Sequence, residues 1–199
     1  MKQIILVFVA ITLFLGACNN KKPKETTVIT SDDGKEKVTI NTNQMQNAMQ
    51  DMEKQKSELE KLTPLSMDQL KALIPETMMG AKRTNFSASS AMGAGSAQGE
   101  YELNDSTRVS LNIYDCAGSA GAGIYSMQYM SMFNFQQESD DEYTRTIDFN
   151  GGKAFEHCEK ASNDCTISYF SGGRFLVTLE GDHVGADALK QVAKGLNIK

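Results

Sequence analysis

The cysteines of the second half of the chain offer the clearest chemistry. Cys158 and Cys165 end and begin two predicted neighbouring strands, with six residues between them. A cross-strand pair of this kind brings the two Cα atoms into disulfide range. We therefore predict a Cys158–Cys165 disulfide, stabilising the fold by roughly 2–3 kcal/mol. Cys116 is then left as a buried thiol, and the other two pairings of the three cysteines stay open.

The same thiols could bind a metal. Zinc would use them with His157 or His183, but the chain has no Cys-x-x-Cys pair, and His157 and Cys158 point to opposite faces of a strand. Soft Cu(I) accepts thioethers, and three methionines lie downstream of Cys116: Met127, Met130 and Met132. Methionines in an apolar helix usually fill a core. We expect no cofactor and keep soft-metal or small-ligand binding as the alternative.

Catalytic motifs are weak. The glycine-rich segment 118–123 lies between a predicted strand and a predicted helix, where backbone amides can bind phosphate. It lacks the Lys-Ser/Thr of a P-loop and the glycine order of a dinucleotide site. Neither histidine lies in a recognisable Ser or Cys motif. We therefore predict a protein that is not an enzyme, and an enzyme using the Cys116 segment remains a further hypothesis.

The start of the chain indicates where the protein resides. Lys2 precedes a twelve-residue apolar run, residues 4–15, which at about 1.5 Å per residue is too short to span a bilayer comfortably. This pattern is typical of a secretory signal peptide. The run ends in Leu15-Gly16-Ala17-Cys18, which resembles the lipobox of bacterial lipoproteins. The resemblance implies removal of residues 1–17 and acylation of Cys18, which would anchor the chain to a membrane.

Residues 18–41 are predicted to form a lipidated tether. The part from 19 to 27 has no apolar side chain to bury. In the lipoproteins that this chain resembles, an acidic residue after the cysteine marks inner-membrane retention. Asn19 is therefore compatible with the outer membrane, facing the periplasm or the cell surface. The net charge is −5, and an acidic domain is a poor partner for nucleic acid.

Two β-favouring runs within the tether, 27–30 and 35–40, flank Asp33-Gly34, which indicates a short hairpin. Residues 42–62 then have the pattern of an amphipathic helix. Its apolar seam, interrupted by Lys56, has heptad-like spacing: Met45, Met49, Met52 and Leu59. This face could pack on its own domain, bind a protein partner or a second copy, or remain exposed and partly frayed.

Residues 63–199 are predicted to form a globular α+β domain, an antiparallel meander with helices packed on it. A capping-box spacing at Ser66–Gln69 starts a helix that Ile74-Pro75 ends. Segment 90–96 is predicted to be a flexible loop, 124–135 a buried helix, and Gly195 the cap of a final helix. Period-two patterns predict strands at 82–89, 97–103, 107–115, 143–149, 153–158, 165–170 and 174–180.

The order of these elements, with Ile147-Asp148-Phe149-Asn150-Gly151 and the run 173–179 before a terminal helix, resembles small lipoproteins of unknown function. More distantly it is similar to PsbP/Mog1-like α/β sandwiches. The likeness covers residues 64–198 and implies a binding or assembly module, with no catalytic residues to transfer. We therefore expect a lipid-anchored envelope protein with a protein-binding, assembly or stress-related role.

Overall fold

The computed structural model describes residues 26–30, 37–91, 93–131 and 136–198. The predicted signal peptide, Cys18, the first part of the tether and the turn at Asp33-Gly34 lie outside these residues. The chain divides into two compact units, with the boundary in the sequence between Gln46 and Asn47. In the first unit, β1 (Thr26–Thr30) and β2 (Lys37–Asn41) pair in antiparallel orientation with Val28 opposite Thr39. This is the arrangement expected of a hairpin.

The described residues of the second unit include most of α1, three further helices and nine strands. In chain order the elements are α1 (Thr42–Glu60), α2 (Met67–Ala72), β3 (Thr77–Met78), β4 (Ala81–Ala91), β5 (Ala94–Glu102), β6 (Arg108–Asp115), α3 (Gly118–Ser131), β7 (Gln136–Glu138), β8 (Glu142–Phe149), β9 (Gly152–Glu159), β10 (Asp164–Ser171), β11 (Phe175–Asp182) and α4 (Ala186–Gly195).

The nine strands form one sheet in the order β3-β4-β5-β6-β11-β10-β9-β8-β7, and every neighbouring pair is antiparallel. Two meanders, β3–β6 and β7–β11, each run from an outer edge to the centre. They meet where β6 pairs with β11, with Leu111 opposite Leu179. The predicted mixed α+β fold with an antiparallel sheet is thus confirmed.

One face of the sheet carries the main core. Apolar residues alternate along the strands, so Leu111 of β6, Ile167 of β10 and Leu179 of β11 are all fully buried on this face. Leu70 of α2 and Leu189 of α4 pack into the same cluster. The other face has a smaller cluster, in which α1 and α3 meet β11. Helices therefore lie on both sides of the sheet.

The start of α2 follows the local sequence signal. Ser66 is the N-cap, its hydroxyl accepts a hydrogen bond from Gln69 N, and Gln69 Oε1 accepts one from Ser66 N. The predicted capping box is confirmed. Leu65 packs against the main core, which includes Leu70, as expected for a hydrophobic staple. The helix is fixed by its own sequence as well as by the sheet beneath it.

Three predictions about glycine-rich segments are wrong. Segment 118–123 is the first part of α3, which starts at Gly118 rather than at Ile124. Gly121 allows close packing, since a Cβ there would lie 2.5 Å from the carbonyl carbon of Cys116. Within segment 90–96, residues 90–91 belong to β4 and residues 94–96 to β5, with Ala91 opposite Ala94 and Gly93 at a φ of 81°, so these strand residues are paired rather than part of a flexible loop. Gly195 is the last helical residue, and Leu196 is the C-cap.

Candidate functional site

The two cysteines predicted to pair are neighbours in the structure. Cys158 of β9 and Cys165 of β10 are directly opposite each other, with a Cα–Cα distance of 4.1 Å. Their sulfur atoms lie at disulfide distance, and both side chains are buried. The strand register therefore places the two cysteines opposite each other across neighbouring strands, as their spacing in the sequence predicted. The bridge would tie the two strands together on the core face.

Cys116 lies at the end of β6 and is fully buried in the cluster with Leu59 and Leu176. Its sulfur is 3.9 Å from the carbonyl oxygen of Tyr114. Burial raises the pKa of the Cys116 thiol to about 12. Because the thiolate is the nucleophile and the metal ligand, a thiol that stays protonated at neutral pH acts as a packed core group.

The structure separates two of the residues considered for copper. Met127 projects from α3 with 66% of its surface exposed, whereas Cys116 is fully buried. The side chains of Met130 and Met132 lie outside the described residues. His157 Nδ1 is 2.9 Å from Thr144 Oγ1, and His183 lies beside Asp164 in the turn after β11. Among the residues that the structure describes, no group of three or more His, Cys, Asp or Glu residues is arranged to hold a metal.

The second half of α1 is docked on the domain. Leu59 is fully buried, Met52 packs against the same cluster, and Gln55 Nε2 donates a 2.6 Å hydrogen bond to Gly173 O. Met49 is 44% exposed. The side chain of Met45 lies outside the described residues. The proposed seam is thus divided, with its last part used for packing within the domain and Met49 left at the surface.

A buried ion pair that the sequence analysis missed fixes the link between α1 and α2. Asp115 is fully buried at the end of β6 and accepts hydrogen bonds from Arg174 Nε (2.7 Å) and Nη2 (2.9 Å). Leu65 N donates to the same carboxylate at 2.7 Å, and Arg174 Nη2 also donates to Thr63 O. Burial alone would raise the pKa of Asp115, but these donors hold it below its usual range.

A second buried carboxylate joins α4 to the sheet. Glu156 of β9 is fully buried, and Arg145 Nε donates to its Oε1 at 2.8 Å. Lys190 Nζ of α4 lies 3.1 Å from Oε2, outside good hydrogen-bond geometry, and also pairs with Asp187. Burial opposes ionisation of Glu156, yet the two cations lower its pKa. These charges neutralise one another, as expected of a structural network.

The sheet face opposite the main core has an open, uncharged area, which we call the hydroxyl–amide patch. Its side chains project from five adjacent strands, and each is half-buried or exposed. The strand register places one row of the patch across all five strands and a second row beside it on three of them. The first row is Ser87, Gln98, Asn112, Thr178 and Ser168, and the second is Ser89, Ser96 and Tyr114.

The chemistry of the hydroxyl–amide patch is hydrogen bonding without charge. Its groups are hydroxyls and amides, which donate and accept, and one neighbouring pair, Ser168 Oγ and Thr178 Oγ1, is already bonded at 2.9 Å. A shallow recess of about 110 Å³ lies between β4, β5 and β6, with Gln98, Asn112 and Tyr114 among its lining residues. Ligand pockets usually measure about 300–1,000 Å³. The patch is therefore suited to a contact surface.

No protein family, curated protein or solved structure matches this chain. The described helices include none with the length and apolar character needed to cross a bilayer.

Proposed function

We propose that this chain is a non-enzymatic, lipid-anchored cell-envelope protein that binds a protein partner through the hydroxyl–amide patch. The lipobox-like Leu15-Gly16-Ala17-Cys18 supports acylation of Cys18, and Asn19 supports an outer-membrane location facing the periplasm or the cell surface. The observation that carries the binding role is the uncharged hydroxyl–amide patch, which lies on the open sheet face beside a row that includes Glu100 and Glu180.

The composition of the patch supports a protein surface as its partner. Charged residues make up 23% of the chain, but the patch has none across five strands. Charged residues are depleted in the central parts of protein interfaces. Serine and asparagine provide adaptable hydrogen bonds and tyrosine provides rigid contact area, as in polar, hydrated interfaces. Tyr114, which is 39% exposed, supplies that area here.

Site-specific photocrosslinking in intact envelopes tests the proposal. We would place a photoreactive residue at Asn112, within the patch, and at Asp105, in the exposed turn between β5 and β6, in the full-length lipidated chain. An adduct of defined mass from Asn112 but not from Asp105 is expected. Asn112→Arg should abolish partner capture and Asp105→Arg should not. Equal adducts from both positions, or none from Asn112, would refute the assignment.

The surface part of α1 provides a separate contact to test. Deletion of residues 42–62 would remove Leu59 from the buried cluster and perturb the domain itself. Met49→Glu is the sharper variant because Met49 is exposed and outside that cluster. If a partner is recruited by α1 rather than by the patch, Met49→Glu loses that partner while Asn112→Arg retains it.

Small-ligand binding is the second candidate, favoured by one further recess. It measures about 430 Å³ and lies between β8–β10 and the start of α4, with Cys158, Lys160 and Lys190 among its lining residues. This volume is within the range of ligand sites. The cations there already pair with carboxylates of the domain, Lys160 with Glu138 and Lys190 with Asp187. A charged ligand would have to compete with those carboxylates for the two lysines. We therefore rank this recess below the patch.

A further inference from the structure

The outer edge of β4 is unpaired along most of its length. β3 pairs only with Ala81 and Lys82, at the start of β4, and Arg83 N donates to Glu76 O. Along residues 84–91, none of the described strands pairs with this side of β4. An edge of this kind presents backbone donors and acceptors to any strand that approaches it.

The hydrogen-bond alternation shows which residues of β5 face β4. Leu103 N donates to Thr107 O across the β5–β6 turn at 2.9 Å. In antiparallel pairs every second residue bonds to the same neighbour. Odd-numbered residues of β5 therefore bond to β6, and even-numbered residues such as Gln98 and Glu100 bond to β4. The hydroxyl of Thr84 donates to Glu100 O, as this orientation requires.

The same alternation continues into β4. Ser87 is opposite Gln98 and Asn85 is opposite Glu100, so the odd-numbered residues of β4 bond to β5. The N–H and C=O groups of Phe86, Ala88 and Ser90 therefore point outward. The Phe86 N–H donates to Asn85 Oδ1 at 2.8 Å.

Residues 84–91 lack the usual protection of an exposed edge. They include neither a charged side chain nor a proline, which are common devices against strand addition. At the opposite edge of the sheet, β7 has three residues, and its Glu138 forms an ion pair with Lys160. The β4 edge is thus the long, neutral edge of the sheet.

We propose that two copies of this chain pair in antiparallel orientation through the outer edge of β4, with the two-fold axis at Ala88. Around this axis Ala88 is opposite its equivalent, Phe86 is opposite Ser90, and Ser87 is opposite Ser89. The three outward residues of each copy can form roughly six backbone hydrogen bonds across the axis. Two of these require the Phe86 N–H of each copy to exchange Asn85 Oδ1 for the Ser90 carbonyl oxygen of the other copy. The edge is complementary to itself, as an isologous interface requires.

Charge favours a second copy as the occupant. Around the same axis, Arg83 of one chain falls opposite Gly93 of the other, so no like charges are opposed along the edge. Directly opposite residues of antiparallel strands project to the same face. The two sheets therefore become one, and their hydroxyl–amide patches form a single extended surface.

Cysteine cross-linking of the full-length chain in membranes tests the interface. Ala88→Cys places two thiols at the axis, where opposite Cα atoms are about 5.5 Å apart, within disulfide range. Asp105→Cys is the matched control in an exposed turn. We expect Ala88→Cys to give at least several-fold more disulfide-linked homodimer than the control after mild oxidation. Equal dimer from both variants, or a cross-link from Ala88→Cys only to another protein, would overturn the proposal.

A charge-swap experiment on the purified chain provides the second readout. The double variants Ser87→Lys/Ser89→Lys and Ser87→Glu/Ser89→Glu each oppose like charges across the axis, on exposed side chains that the fold does not bury. By light scattering we expect the unaltered chain to be dimeric, each charged variant to be monomeric, and their equimolar mixture to form a heterodimer. A monomeric unaltered chain, unchanged dimers of both variants, or a mixture that stays monomeric would each refute the edge interface.

Discussion

Replacing Asp115 with asparagine should destabilise the domain by about 3 kcal/mol, since breaking a buried pair by removing one charge costs roughly 3–5 kcal/mol. We expect the lower end because the Arg174 side chain is 20% exposed and water can partly solvate it. Asparagine keeps an oxygen for Leu65 N but loses the charge opposite Arg174. The free energy of unfolding of a domain is only about 5–15 kcal/mol, so the effect is large.

Urea unfolding of Asp115→Asn, followed by circular dichroism and tyrosine fluorescence, measures this loss. The control is Asp148→Asn, because Asp148 is 88% exposed and its ion pair with Lys153 is of the surface type, contributing about 0–1 kcal/mol. Adding Arg174→Met to Asp115→Asn should recover part of the stability, since it removes the unpaired cation. If Asp115→Asn costs no more than Asp148→Asn, the assigned role of the pair is refuted.

The remaining predictions concern packing, redox state and pH. Leu59→Ala should cost about 2–5 kcal/mol in urea unfolding, because it opens a cavity under α1; a loss below 1 kcal/mol would show that α1 is not docked. Cys116 should resist alkylation at pH 8 until urea unfolds the chain, since burial raises the pKa of its thiol to about 12; rapid labelling of the folded protein would contradict this. Reduction of Cys158–Cys165 should lower the free energy of unfolding by roughly 2–3 kcal/mol, and an unchanged urea midpoint after reduction would exclude a stabilising bridge. The pKa of Glu156 is lowered in the folded state. The stability that this carboxylate contributes is therefore present above its unfolded pKa, near 4.3, and is lost as pH falls through the folded value. Glu156→Gln should therefore lose less stability than the unaltered protein between pH 5 and pH 3.

The sequence is sufficient to predict those features that are formed by residues close together in the chain. The capping box of α2 involves Ser66 and Gln69, three residues apart, and hairpin turns such as Asn150-Gly151 bring sequential strands together. The start of α3 was missed because its glycines resemble a loop in composition. One of them, Gly121, instead approaches the backbone around Cys116 closely, which only the tertiary structure reveals.

The functional candidates were harder to predict because they depend on strand order. Alternation along β6 places Asn112 and Tyr114 on the face away from the core. Whether they lie in a continuous patch depends on the pairing of Asn112 with Gln98 and with Thr178, which is 66 positions further along the chain. The Asp115–Arg174 pair likewise joins residues that are 59 positions apart. The spacing of Cys158 and Cys165 was informative because a single hairpin connects them.

The meeting of the two meanders at β6 and β11 has a consequence for the order of folding. Chain synthesis proceeds from the N-terminus, so β3–β6 are made long before β11, which pairs with β6 in the folded protein. β11 is the last strand of the sheet along the chain. Until it is made, the side of β6 that pairs with β11 in the folded sheet has no partner strand. A nascent chain therefore keeps the middle of its sheet open almost to the end of synthesis. A chain that stops before Phe175 would leave that gap permanently, which makes β6 the site where we expect cellular quality control to recognise incomplete molecules.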